Sequence, residues 1–162
     1  MSNEIVWSPP EEIVKNSKLT KFLKFCKLSD YDELEKKSYA DPGWLWDNVI
    51  KFSDLKFYQS YEKIMDDSKG APWTKWCVGG KTNIVLNCID RHKEKKFFSE
   101  TFIFAEKEDG TKSSITYEEF NKQISKVGNA LKISGFQKGD VIALYMPQFI
   151  ETYIAYFAIL KI

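Results

Sequence analysis

The residues with the greatest chemical potential in this sequence lie between Trp76 and His92. Gly80, Lys81 and Thr82 reproduce the end of a phosphate-binding loop, in which Gly-rich backbone amides and a lysine cradle the phosphates of ATP. The full pattern needs another glycine five residues before the second one, and Lys75 stands there; the competing reading is a Gly-Gly turn leading into a helix. Cys88 and His92 would share a face of any helix that carried both, with Asp90 between them, but a zinc site needs further ligands and Cys77 is the sole candidate. Packing of Cys88 and hydrogen bonding of His92 is the alternative. There is no Gly-x-Ser-x-Gly elbow, and a lone histidine does not define a nucleophile and base pair. No catalytic, cofactor-binding or metal-binding residue is therefore assigned.

The elements that must position this segment can be read from capping and periodicity. Residues 8–70 read as helical segments rich in Lys, Tyr and Phe, punctuated by Pro9, Pro10, Pro42 and Gly43. Ser29 or Asp30 can cap a helix running through Tyr39, and Asp41 can cap the next, with Pro42 at its first position. Leu45, Val49 and Phe52 follow helical spacing there, and Trp44 and Trp46 add large apolar bodies, read either as packing of a helical extension or as a ligand-stacking box. Beyond Glu100 the pattern changes. Residues 101–105 are a strand candidate, Asp109-Gly110 a hairpin turn, and residues 113–116 the returning strand. Thr116 and Glu119 form a capping box for a helix whose Phe120, Ile124, Val127 and Leu131 share one face, and Gly135 is placed to end it.

Residues 141–145 form a short apolar run expected to be a strand covered on both faces, stopped by Pro147. The helix that follows carries Phe149, Ile150, Tyr153, Ile154, Phe157, Ile159 and Leu160, apolar round nearly its whole circumference and hence expected inside a body of protein. The fold class expected is α/β: a helical N-terminal extension over residues 1–70, a linking segment over 71–96, and the first strands and helices of a doubly wound, mostly parallel sheet over 97–162. Ile162 follows the apolar helix with no capping Gly or Asn and no covering element, so an incomplete unit is expected, its missing surface supplied by another segment or chain.

Composition narrows the class. Twenty-four basic against 23 acidic residues leave a formal charge of +1, and Arg91 is the only arginine, so nucleic acid is not an expected partner. The mixed run from Arg91 to Lys96 reads as a solvated helix end. Three widely spaced cysteines and no leader-like N-terminus make a reducing cytoplasm the expected location, and the apolar stretch from Phe149 to Ile162 is shorter than the roughly 20 residues that cross a membrane.

The run Trp76-Cys77-Val78-Gly79-Gly80-Lys81-Thr82-Asn83, with Asn87 and then Asp90-Arg91-His92 downstream, resembles the amino-terminal signature of acetyl-CoA synthetases and their propionyl and 3-hydroxypropionyl relatives. Residues 115–120 resemble the first core motif of the wider adenylate-forming superfamily, and residues 138–147 resemble the strand and turn after it. The resemblance implies an AMP-forming acyl-CoA synthetase. In such enzymes a carboxylate attacks the α-phosphorus of Mg-ATP to give an acyl-adenylate, and coenzyme A then displaces AMP. Positive charge and donors around the developing oxyanions come from a Ser/Thr/Gly-rich loop, a Tyr-Gly-x-Thr-Glu segment, a Thr-Gly-Asp segment and a C-terminal lysine. None of these is among the 162 residues, so the resemblance transfers no catalytic residue. It assigns the signature a scaffold role, with shaping of the coenzyme A side as the alternative.

The expected function is thus the N-terminal part of an ATP-dependent short-chain acyl-CoA synthetase, inactive alone and binding neither ATP, Mg nor coenzyme A by itself. A non-catalytic interaction module, or one half of a split synthetase, is the second reading. The expected partner is the remainder of the synthetase, or a second copy, through Phe149, Ile150, Tyr153, Ile154, Phe157 and Leu160; no membrane is expected.

Overall fold

Helix caps and short hairpins set the architecture of the computed structural model, which describes residues 5–162. The chain is α/β and falls into two units: residues up to Leu55 together with Ser60–Gly80, and Lys56–Gln59 together with Lys81–Ile162.

The first unit opens with four helices, α1 (Glu11–Asn16), α2 (Lys18–Cys26), α3 (Tyr31–Ala40) and α4 (Pro42–Phe52). Side-chain oxygens start three of them by accepting an otherwise orphaned amide: Ser17 from Thr20, Asp30 from Glu33 and Asp41 from Trp44. Pro42 stands in the first turn of α4, where its missing N–H costs nothing. Phe52 packs its ring on Phe22 and Phe25, with centroids 5.2 and 5.5 Å away, and Lys37 lies 4.2 Å over the ring of Trp44. The aromatic residues of α4 are thus packing groups.

The stretch expected to stay helical to Gly70 ends early. Residues 53–62 are irregular, and β1 (Lys63–Asp66) pairs antiparallel with β2 (Lys75–Val78), Lys63 opposite Val78 and Met65 opposite Trp76. Four residues are too few for periodicity to separate strand from helix; β1 exists because β2 supplies its hydrogen bonds.

The second unit contains α5 (Ile84–Cys88), single 3-10 turns at Asp90–His92 and Lys96–Ser99, β3 (Thr101–Glu106), β4 (Lys112–Thr116), α6 (Tyr117–Ile133) and α7 (Ile150–Lys161). Strands β3 and β4 form the expected hairpin, Ala105 opposite Ser113, with an irregularity between Thr101 and Ile103. The capping box forms as the sequence indicates: Thr116 Oγ1 accepts from the Glu119 amide while Glu119 Oε2 accepts from the Thr116 amide. Gly135, at φ 95°, closes α6 by donating to the Lys132 carbonyl.

Val85, Ile89, Phe120, Ile124 and Ala158 form the buried centre of this unit. Helices α6 and α7 approach closely because small residues meet: a Cβ on Gly128 would lie 3.2 Å from Ile162 Cγ2, and Ala158 is fully buried.

One expectation is corrected here. Residues 141–145 form no strand; Val141 and Tyr145 are fully exposed, and both sheets among the described residues are two-stranded and antiparallel. A parallel strand draws every ladder bond from neighbours, so this run stays irregular without them. Helix α7, as expected, is not covered round its circumference by these residues. Ile154, Phe157 and Leu160 pack on the core, whereas Phe149, Tyr153 and Tyr156 are each nearly half exposed.

Candidate functional site

In the first unit the signature begins on β2, where the Trp76 ring stands edge-on to Trp46 with centroids 6.2 Å apart. Cys77 takes a left-handed backbone, φ 49°, and its carbonyl accepts from the Gly80 amide at 2.8 Å. Gly79 follows at φ 78°, and a Cβ there would lie 3.3 Å from the Glu62 side chain, so both space and backbone favour glycine. Burial, then the nearby Asp47 carboxylate, pushes the Cys77 thiol up, which leaves it a weak nucleophile. Tyr61 donates to Asp47 Oδ1 at 2.5 Å; that bond, and then burial, raises the phenol to about 12.

In the second unit the signature continues as a set of polar clamps. Lys81 donates its amide to Gln59 and accepts through its carbonyl from the Tyr58 amide, fastening residues 56–59 as a strap. Thr82 Oγ1 donates to the Lys56 carbonyl at 2.7 Å. Asn87 grips the same residue twice: Oδ1 accepts from the Lys56 amide at 2.7 Å, and Nδ2 donates to the Lys56 carbonyl at 3.0 Å. Asn83 has two tasks. Its Oδ1 accepts from the Val85 amide to start α5, and its Nδ2 donates to the Leu160 carbonyl at 2.6 Å, satisfying an orphan acceptor in the last turn of α7.

Asp90 carries the signature's negative charge, with Lys93 Nζ 2.7 Å away and Lys161 Nζ 3.7 Å away. Lys161 also donates to Asn121 Oδ1 and Ser125 Oγ of α6, at 3.1 and 3.2 Å. Burial lowers its pKa, and the Asp90 charge opposes that shift. Lys161 thus cross-links the 3-10 turn, α6 and α7.

His92 lies against the rings of Phe97 and Tyr117, centroids 5.2 and 6.3 Å away, and its Nδ1 is buried without a hydrogen-bond partner. The hydrogen-bonded histidine of the sequence reading is thus a packed one at Nδ1. Burial first, then the neighbouring Lys95 and Arg91 charges, hold its pKa below the ordinary 6.5. As pH falls the unfolded chain takes up this proton before the folded one, so the stability contribution is complete above about pH 6.5 and is lost as pH drops through the lower folded value. His92 is the only histidine. His92→Gln is therefore expected to flatten the urea midpoint against pH between about 7 and 5; a slope identical to the parent's would exclude His92 as its source.

The Gly80-Lys81-Thr82 run does not serve as a phosphate cradle. The Gly80 and Lys81 amides and the Thr82 hydroxyl are all donating to protein oxygens, and the run turns into a five-residue helix. Cys88 packs against the core, and among the described residues no three His, Cys, Asp or Glu side chains gather at metal-binding distance. The donors of this run are thus already engaged within the protein. Sequence reasoning missed the strap at residues 56–59 and the Lys161 cross-link. The paired amides of Asn83 and Asn87 were the available signal, but nothing in their spacing names Lys56 or Leu160 as partners.

This scaffold has relatives. Residues 31–88 match the family described as acetyl-coenzyme A synthetase N-terminus, and residues 89–162 match the AMP-binding enzyme family. Helical extension, signature clamps and capped hairpin-helix thus define an AMP-binding enzyme scaffold. The chain belongs to the AMP-forming acyl-CoA synthetases of the acetyl-CoA synthetase type. It is 30% identical to the acetyl-coenzyme A synthetase of Chlorobaculum tepidum over all of this chain and 23% of that protein. It is 32% identical to that of Methanothrix soehngenii over 97% of this chain and 24% of the relative. The acetoacetyl-CoA synthetase from Streptomyces lividans shares its fold, with a TM-score of 0.86 at 18% identity, over 95% of this chain and 24% of that one. The chain thus spans about a quarter of the length of the curated relatives it matches.

Proposed function

We propose that these residues are the N-terminal scaffold of an ATP-dependent, AMP-forming short-chain acyl-CoA synthetase, and that ATP, Mg, coenzyme A and the carboxylate are handled by residues outside it. Acetate, propionate and 3-hydroxypropionate are the substrate class that the signature brings with it. The observation that carries this reading is the pairing of two consecutive family matches, over residues 31–88 and 89–162, with a signature whose polar groups are spent on holding the chain together. The half-exposed Phe149, Tyr153 and Tyr156 support docking to the rest of such a synthetase, about three quarters of which lies outside the matched region of the relatives. Three free, spaced cysteines fit a reducing cytoplasm, and among the described residues no helix is long and apolar enough to cross a membrane.

The test is carboxylate-dependent exchange of labelled pyrophosphate into ATP. The isolated chain is expected to give none. A chimera in which these residues replace the matching quarter of the Chlorobaculum tepidum synthetase is expected to give it. Exchange by the isolated chain, or a folded chimera without exchange, contradicts the proposal.

A further inference from the structure

The lysines of this chain are not spread evenly. Between Glu12 and Asp30 the sequence holds Lys15, Lys18, Lys21, Lys24 and Lys27 and no acidic residue, while the rest of the chain is net acidic. The whole-chain charge of +1, from which no membrane partner was expected, averages this segment away. All five side chains are exposed, and among the described residues none of them forms an ion pair. Like charges one helical turn apart repel, so the row costs stability wherever no anion meets it.

Apolar side chains stand exposed in the same segment. Phe22 of α2 is buried against Phe52, but Phe25, which follows Lys18 and Lys21 at helical spacings of three and four, is 45% exposed. Ile13 and Val14 of α1 are about half exposed, and Trp7 ahead of them is 70% exposed. The two helices are fastened at their corner, where Thr20 Oγ1 donates to the Val14 carbonyl at 2.6 Å and Ser17 caps α2. An acidic polypeptide would neutralise the lysines and leave Trp7 and Ile13 in water. An anionic bilayer takes both, because its phosphates lie above an apolar layer, lysine stems reach from one to the other, and tryptophan settles at the level of the headgroups.

We propose that residues 7–27 dock the chain on the surface of an anionic lipid bilayer, with the five lysines at the level of the phosphates and Trp7, Ile13 and Phe25 entering the apolar layer beneath. The attachment is peripheral, since among the described residues no helix is long and apolar enough to cross. Each lysine near such a surface strengthens binding roughly fivefold. Nothing in this docking depends on acyl-CoA chemistry, so it stands apart from the function proposed above.

Co-sedimentation of the chain with vesicles reads the partition. Binding is expected to vesicles of mixed phosphatidylserine and phosphatidylcholine at low salt, and neither to phosphatidylcholine alone nor at high salt. Lys18→Gln, Lys21→Gln and Lys24→Gln combined, all at exposed positions, are expected to lower the partition constant roughly 100-fold without lowering the melting temperature. Brominated lipid is expected to quench tryptophan emission in the parent and not in Trp7→Phe. Binding to neither kind of vesicle, equal binding to both, binding unchanged by the three glutamines, or quenching unchanged in Trp7→Phe overturns the proposal. So does binding lost in Tyr153→Lys, which would place the contact on the open side of α7. Poly-glutamate binding in place of vesicle binding would assign the lysines to an acidic polypeptide, and oligomers of the free chain that the three glutamines dissolve, again without vesicle binding, would assign them to a second copy; either overturns the proposal.

Discussion

Replacing Phe120 with alanine is expected to cost about 3–5 kcal/mol, close to the whole stability of an ordinary small domain. Its side chain is fully buried. Its ring lies 4.9 Å from that of Phe102 on β3 and 5.4 Å from that of Phe157 on α7, so one side chain joins the hairpin, α6 and the terminal helix. Truncation removes the transfer free energy of the ring and leaves a cavity bounded by two more rings that the hairpin and helix cannot both collapse to fill. Far-UV circular dichroism in urea is the measurement, with the midpoint expected to fall by roughly 2 M for an ordinary urea dependence. The five tryptophans all lie at or before Trp76, so their emission follows the first unit as a reference. A midpoint shift worth less than about 1 kcal/mol would mean that Phe120 is not the centre of this core.

The second large effect belongs to Asn83. Alanine there removes the N-cap of α5, worth about 0.5–2 kcal/mol, and the bond to the Leu160 carbonyl, worth about 0.5–1.5 kcal/mol. Asn83→Ala is therefore expected to cost about 1–3 kcal/mol in the same urea experiment. Asn83→Asp separates the two roles. Aspartate still accepts from the Val85 amide, but it cannot donate to Leu160 and sets a negative charge beside the C-terminal end of α7, where the helix dipole disfavours it. It is expected to destabilise as well, more at low than at high salt. If Asp matched the parent, the link between the signature and α7 would carry no weight.

These two residues also show what can be read from sequence. Phe120 was marked by the capping box four residues ahead of it and by its spacing to Ile124, both local signals. Asp30 and Asp41 were marked in the same way, by a side chain that reaches amides a few residues on. The clamps were not marked, because Asn83 to Leu160 and Asn87 to Lys56 are separated by 77 and 31 residues. The short strand β1 was missed for a related reason: its hydrogen bonds are made by residues beyond a turn, not by its own pattern. Residues 141–145 failed in the opposite direction. Their apolar run has strand character, but a strand exists only where a neighbour accepts its hydrogen bonds. The family signature was legible as a string, while the bonds that Asn83 and Asn87 make to Leu160 and Lys56 were visible only in the structure.

The claim at the centre of this account is that the signature from Trp76 to His92 holds structure and does not touch substrate. Steady-state kinetics of the Asn83→Ala and Asn87→Ala forms of the active chimera test it most directly. The expected result is faster thermal inactivation with KM values for ATP, acetate and coenzyme A within about twofold of the parent chimera, the pattern left by loss of fold and not of binding contacts. A rise of tenfold or more in KM for coenzyme A alone, at unchanged thermal stability, would contradict the account and place the signature on the coenzyme A side of the enzyme.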